Sequence, residues 1–271
     1  MRTSHSLNLR RALTAGAVML LFGCARGRAQ DSIPWPPENR LTVTVTPRVA
    51  IKGDTIVLSY TIANALSSEQ AAQTFVLRLD VSDYRLDAPA DWFANRAMVQ
   101  DSAAAHWYGA RKQALIPPGA TLAGFVLRGM GLAALVPYRV KGYHAPPVYD
   151  DSVGTPIQRP PSFWVNSVPG HTVGLIPIPR DSTPAGLLRT VRIVLADFCG
   201  VASRADGLCT SLKAELAAAS DALARGAGDA AAGAIRAFKQ ELESPAANAL
   251  GSGVAAALQI DADQILKRLQ P

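Results

Sequence analysis

The sequence lacks any apolar run long enough for a membrane-spanning helix, which needs roughly 20 consecutive apolar residues. Its longest such run, ALTAGAVMLLFG, covers only residues 12–23. Arg10 and Arg11 precede this run, and small residues follow it before Gln30. A short positive segment, an apolar segment and a cleavage site are the three parts of an export signal. We therefore predict a signal peptide over residues 1–29, a periplasmic or extracellular protein, and no transmembrane helix in the mature chain.

The net charge of the chain becomes small once this segment is removed. The chain has 27 basic and 21 acidic residues, but five of the arginines and none of the acids lie in residues 1–29. The remainder has 22 basic against 21 acidic side chains, which is a net charge near +1. A protein that binds nucleic acid through electrostatics needs a strong basic excess. We therefore expect no nucleic-acid partner.

Cysteine is rare, with three residues in the chain. Cys24 lies in the predicted signal region, which leaves Cys199 and Cys209 as a pair. In an oxidising compartment outside the cytoplasm, two such thiols form a disulfide. The alternatives are a metal site and a redox pair, but no histidine lies near the cysteines and their spacing is not C-x-x-C. We predict a Cys199–Cys209 disulfide and no metal site.

Cys24 raises a separate question about lipidation. In the stretch LFGC, Leu21 and Gly23 stand where the lipidation site of bacterial lipoproteins has a leucine and a small residue. Phe22 departs from that pattern, since a small residue is usual there. We predict ordinary cleavage before Gln30. The alternative is a membrane-anchored lipoprotein whose mature chain begins with a lipidated Cys24.

Local catalytic motifs are also missing. The histidines of the mature chain, His106, His144 and His171, lie far apart, and no H-E-x-x-H, G-x-S-x-G or S-x-x-K occurs. GMGLAA at 129–134 matches the dinucleotide-binding fingerprint, but Pro137 and the β-like flanking sequence favour a turn. We predict no cofactor and no enzymatic activity. The alternative is a hydrolase whose triad assembles from distant residues.

Period-two alternation of apolar and polar residues dominates the first part of the mature chain. It appears in RLTVTVTPRV, GDTIVLSYTIAN and TFVLRLDV, among other runs. Short strands separated by Pro, Gly, Asn and Asp are typical of an antiparallel β-sandwich of the immunoglobulin-like kind. We predict an N-terminal linker over 30–40, this sandwich over 41–176, and a Pro-rich linker over 177–183.

The apolar period changes to that of a helix after this linker. Thr183 and Pro184 form a helix start signal, since threonine caps and proline suits the first position. Four short amphipathic stretches then predict a small helical bundle over 184–271. In this arrangement Cys199 ends the first helix and Cys209 begins the second, so a disulfide would staple the hairpin.

Two resemblances agree with these patterns. The stretches SLKAEL, ALARG, AAAGAIRAFKQELE and IDADQILKRL resemble the FIMAH domain, a short helical module of exported bacterial proteins. This resemblance implies a helical fold and an exported location, and it carries no catalytic residue. The stretch IPPGATLAGFVLRGMGLAALVPYRVKGY resembles unnamed immunoglobulin-like sandwich modules of exported bacterial proteins.

Aromatic residues are few, at 6% of the chain, and they are clustered. Each cluster contains a tryptophan: Trp92, Trp107 or Trp164. Most of these rings are expected to fill the sandwich core. The alternative is an exposed platform on which sugar rings stack. We predict a non-catalytic envelope or secreted protein whose sandwich binds or spaces other molecules, an envelope protein or polysaccharide among them. A carbohydrate-binding module is the alternative.

Overall fold

The computed structural model describes residues 33–99, 102–145, 157–202 and 205–270. Within these residues the chain forms nine strands followed by four helices. The strands are β1 (Val43–Lys52), β2 (Thr55–Asn64), β3 (Ala72–Arg78), β4 (Tyr84–Asp87), β5 (Trp92–Val99), β6 (Ser102–Gly109), β7 (Thr121–Gly129), β8 (Leu132–Gly142) and β9 (Val168–Ile176). The helices are α1 (Pro184–Val201), α2 (Asp206–Ala224), α3 (Gly228–Leu242) and α4 (Ser252–Leu269). The predicted order, an all-β part and then a helical part, is confirmed.

The strands form two antiparallel sheets. One has the order β1-β2-β7-β4 and the other the order β5-β6-β3-β8-β9. β1 and β2 pair over their full length through a turn at Gly53, whose φ of 63° suits glycine. GMGLAA covers the end of β7, a two-residue turn and the start of β8, so it opens no helix.

The core of the sandwich lies between the two sheets. Alternate residues of β2 are buried, as the period-two pattern predicts. The largest inward side chains are aromatic: Tyr60, Phe75, Trp107 and Phe125 are each 0% exposed. Phe75 and Trp107 stack with ring centroids 5.2 Å apart, and Phe125 meets Phe75 edge-on at 5.8 Å. Such pairs stabilise a core beyond the area they bury.

The helical part begins at the predicted cap and contains the predicted disulfide. The Thr183 side chain accepts a hydrogen bond from the Gly186 backbone N–H at 3.2 Å, and Pro184 occupies the first helical position. A disulfide joins Cys199 in α1 to Cys209 in α2. None of the described helices is long and apolar enough to cross a membrane.

The helices pack directly on the sandwich through α4, which lies against β1 and the start of β8. The Asp261 carboxylate accepts a hydrogen bond from the Ala133 N–H at 3.0 Å, and the Gln264 side chain donates to the Gly131 carbonyl at 2.8 Å. Buried apolar residues of both parts form one continuous core. β1 and β9 are edge strands, so this packing covers open sheet edges.

Candidate functional site

The three tryptophans singled out in the sequence lie in different environments. Trp92 and Trp107 are 6% and 0% exposed, and their indole N–H groups donate to the carbonyls of Ala114 at 2.7 Å and Asp87 at 2.8 Å. These two rings are core residues, as expected for most of the clustered aromatics, so the alternative of an exposed stacking platform does not hold for Trp92 or Trp107. Trp164 is partly buried, and its indole nitrogen is buried without a hydrogen-bond partner among the described residues.

Aromatic and basic side chains gather on the outer face of the five-stranded sheet. Cross-strand pairing puts Asn95, His106, Val76, Arg139 and Pro169 in one row across the five strands. A neighbouring row contains Phe93, Tyr108, Thr74 and Lys141. We use the term aromatic–basic face for Phe93, His106, Tyr108, Arg78, Arg139 and Lys141, together with Phe163 and Trp164, which precede β9.

At the β5–β6 end of this face three rings lie side by side. Phe93 stacks on Tyr108 with centroids 5.4 Å apart, and the His106 ring is also 5.4 Å from Tyr108. A His106–Asn95 hydrogen bond of 3.1 Å holds the imidazole in place. Burial, assisted by the nearby charge of Lys141, lowers the pKa of His106. The imidazole is therefore neutral at pH 7 and offers hydrogen bonds in place of a charge.

At the β8 end, cations lie against the aromatic rings of the segment before β9. The Arg139 guanidinium is 5.0 Å from the centroid of Trp164, and the Lys141 ammonium is 5.4 Å from that of Phe163. These distances are those of cation–π contacts. Beside them is an open hollow of about 260 Å³, whose walls include Arg78, Arg139, Trp164 and His171.

A buried carboxylate supports this end of the face. Glu38, 7% exposed, binds the Lys141 ammonium at 2.5 Å and the His144 imidazole at 2.9 Å. It also exchanges two hydrogen bonds with Asn166, each of 2.8 Å: the Glu38 N–H donates to the Asn166 side chain, whose amide N–H donates to the carboxylate. With three partners, the buried charge is compensated.

The same contacts position Trp164. Asn166 follows Trp164 by two residues, and the backbone N–H groups of Val165 and Asn166 both donate to the Ser162 carbonyl, at 3.0 and 3.1 Å. The turn that carries Phe163 and Trp164 is thus closed on itself and bonded to Glu38. A surface aromatic held in this way loses little conformational freedom on binding a ligand.

A larger cleft of about 550 Å³ lies where the sandwich meets α4. Exposed Ile51 and Met130 line it. Three of its charged groups are engaged in ion pairs, because the Lys267 ammonium binds Asp54 at 2.8 Å and Asp263 binds Lys239, while the exposed Arg268 donates to the Gln264 carbonyl of its own helix. This cleft has no aromatic side chain among its described lining residues, in contrast to the aromatic–basic face.

The structure does not bring together the three histidines considered for the alternative of a hydrolase triad. His106 lies on the outer face at β6, His144 binds Glu38, and His171 is exposed on β9. Among the described residues, no group of three or more His, Cys, Asp or Glu side chains is placed to hold a metal ion. Cys24, the predicted alternative lipidation site, lies outside the described residues.

The comparisons with known proteins concern the fold. Among solved structures, the chain is similar to an uncharacterised protein from Nocardia farcinica that is described as having an immunoglobulin-like fold. The two are 16% identical, with a TM-score of 0.31, and the match covers 49% of this chain and 97% of the other. A likeness at this level says nothing about function. No protein-family model matches the chain, and no curated protein matches it either.

The sequence contains aromatic clusters, but it does not by itself show which members of each cluster face outward. In β6, Trp107 faces the core, while His106 and Tyr108 face outward. The useful signal was the alternation of β8, where Val136, Tyr138 and Val140 are buried and the residues between them point outward. That alternation predicts that Arg139 and Lys141 share one surface.

Proposed function

We propose that this is an exported, non-catalytic binding protein whose ligand lies on the aromatic–basic face. The observation that carries the proposal is the outward set of rings and cations on and beside the sheet, with the turn that carries Trp164 anchored by the Glu38–Asn166 hydrogen bonds. Sites built on strands keep their geometry better than sites on free loops. The signal-like pattern over residues 1–29 supports export.

The finer assignment of the two parts belongs to the same proposal. We assign the sandwich to the immunoglobulin-like class, on the strength of its two antiparallel sheets and the crossovers in their strand order. We assign the helical part to a FIMAH-like module. Its four helices between Pro184 and Leu269, together with the sequence stretches SLKAEL and AAAGAIRAFKQELE, support that assignment.

A carbohydrate chain is the ligand class that this surface favours. Sugar rings present C–H groups that pack on aromatic faces, and their hydroxyls need hydrogen-bond partners nearby. Trp164 and the Phe93–Tyr108 stack supply aromatic surface, while neutral His106 and Asn95 supply hydrogen bonds. Of the three tryptophans considered for stacking on sugar rings, only Trp164 belongs to this surface.

Retention on insoluble polysaccharides tests the binding function. Wild-type protein, Trp164→Ala and Phe93→Ala would be compared on a panel of envelope and plant polysaccharides. Leu66→Ala is the matched control, since Leu66 is 83% exposed and lies in the β2–β3 loop, outside this face. We expect both aromatic variants to lose retention and the control to keep it. Equal retention by all four proteins would reject the aromatic–basic face as the binding surface.

The intact mass of protein purified from its native host tests the export proposal. A mature chain that starts at Gln30 establishes ordinary signal cleavage. A chain that starts at Cys24 and carries a diacylglyceryl group establishes a membrane-anchored lipoprotein. A full-length chain in the cytoplasmic fraction contradicts export.

A further inference from the structure

Among the described residues, the outward strand positions of the five-stranded sheet have charges of one sign only, and the buried Glu38 carboxylate lies behind Lys141. The cations at these positions are Arg78, Arg139 and Lys141, and in the strand positions that point outward on this face the described structure has no aspartate or glutamate. The chain without its first 29 residues is nearly neutral overall, so this surface is a local concentration of positive charge. A surface of this kind attracts an anionic ligand.

Two of these three cations have no carboxylate partner among the described residues, although Arg139 also lies over the Trp164 ring. Lys141 is engaged with the buried Glu38. Arg78 and Arg139 form no salt bridge within the described part of the chain, and both line the hollow of about 260 Å³. Two guanidinium groups beside one hollow match a carboxylate, which binds arginine through two parallel hydrogen bonds.

The hollow is one end of a longer surface. The strand order β5-β6-β3-β8 separates Phe93 from Arg139 by three strand spacings, which is about 14 Å. An occupant that contacts both the Phe93–Tyr108 stack and the hollow must therefore be an extended chain. It must present ring faces to the aromatics and an acidic group to the arginines.

We propose that the ligand of the aromatic–basic face is an acidic polysaccharide with carboxylate-bearing sugars. A sugar ring packs on Trp164 while its carboxylate sits between Arg78 and Arg139. Further sugars extend across the sheet toward Tyr108 and Phe93. This inference rests on the proposed binding function and adds the chemistry of the ligand to it.

Binding to soluble polymers tests the ligand class. The probes are polygalacturonate and alginate as uronate polymers, dextran as a neutral polysaccharide, and polyglutamate as a carboxylate polymer without sugar rings. We expect wild-type protein to bind at least one uronate polymer and to bind dextran and polyglutamate at least about tenfold more weakly, a difference of 1.4 kcal/mol. Affinity for the uronate polymer should fall steeply with added salt, because the contact is partly electrostatic.

Paired arginine variants locate the binding on this face. Loss of two charge-assisted contacts in Arg78→Gln/Arg139→Gln should weaken uronate binding by about tenfold or more. Arg48→Gln/Arg85→Gln is the control, because it removes the same charge from exposed positions on the other sheet. Wild-type salt dependence provides a test that needs no variant at all.

The alternative results are distinguishable. If dextran binds as tightly as the uronate polymers and the Arg78/Arg139 variant is unaffected, the acidic ligand is wrong and the binding function stands. If polyglutamate binds as tightly, the partner is an acidic protein and the saccharide is wrong. If no polymer binds, the polysaccharide proposal fails as a whole.

Discussion

A fully buried carboxyl group lies where α4 meets the sandwich. Asp261 is 0% exposed, and one of its oxygens accepts the Ala133 N–H at 3.0 Å. Its other oxygen has no hydrogen-bond partner in the described part of the chain. β3 pairs with β8 only from Tyr138 onward, so the start of β8 has no described strand neighbour on that side. The Asp261 carboxylate accepts the hydrogen bond there that a neighbouring strand would otherwise accept.

Burial raises the pKa of Asp261 well above its ordinary value of 3.8, and the hydrogen bond from Ala133 only partly offsets this. Above pH 3.8 the folded protein therefore keeps a proton that the unfolded chain releases. Stability must then fall as the pH rises, with a limiting slope of about 1.4 kcal/mol per pH unit, until the folded pKa is passed. Below pH 3.8 this penalty vanishes.

Asp261→Asn removes the titration and keeps an acceptor for the Ala133 N–H. The measurement is the urea-unfolding free energy of wild type and variant at each pH from 4 to 8. Contributions from all other titrating groups cancel in the difference between the two proteins. We expect the unfolding free energy of the variant, relative to that of the wild type, to rise by about 1.4 kcal/mol for each pH unit above 4 and then to reach a plateau.

Two further variants separate the charge from the hydrogen bond. Asp261→Ala also removes the titration but leaves the Ala133 N–H without a partner, which should cost about 1–3 kcal/mol at every pH. Asp263→Asn, on the same helix but exposed, is the control and should show little of the pH dependence between 5 and 8. A free-energy difference between Asp261→Asn and wild type that stays constant from pH 4 to 8 would refute this reasoning.

Three other predictions concern stability. Replacing Cys199 and Cys209 by serine should lower the free energy of urea unfolding by about 2–3 kcal/mol. A reductant should lower the unfolding free energy of the wild type by the same amount and leave that of the variant unchanged. Gly253→Ala would place a Cβ atom 2.6 Å from the Pro47 carbonyl oxygen, so we expect α4 to shift from β1 and stability to fall by about 1–3 kcal/mol. Gly233→Ala, at an exposed site in α3 where an added Cβ would meet no described atom beyond its own helical turn within 4 Å, should stabilise by about 0.5–1 kcal/mol, and a loss would show that the glycine is needed there.

Local patterns in the sequence predicted several strands, the start of the helical part and the disulfide, but not β4 (Tyr84–Asp87) or β5 (Trp92–Val99). Period-two alternation identified β2, and Thr183 with Pro184 marked the first residue of α1. These signals are local because strand alternation and helix capping depend on residues a few positions apart. The disulfide followed from a count, since only Cys199 and Cys209 remained to pair.

The candidate site needed the tertiary structure, since its contacts join distant parts of the chain. Glu38 and Asn166 are 128 residues apart in sequence, and so are Ala133 and Asp261. No local pattern links such pairs, because each forms only after strands and helices have packed.

The sequence by itself determined several of the strands, the helical part and the disulfide, because those depend on local spacing and on cysteine number. Only the tertiary structure decided that Trp107 points into the core while its neighbours face outward, and that α4 closes the sandwich edge. The physical reason is that the side of a strand that becomes buried is chosen by what packs against it. Every residue of a strand is on one of two faces, and the second sheet determines which face becomes the core and which remains for a ligand.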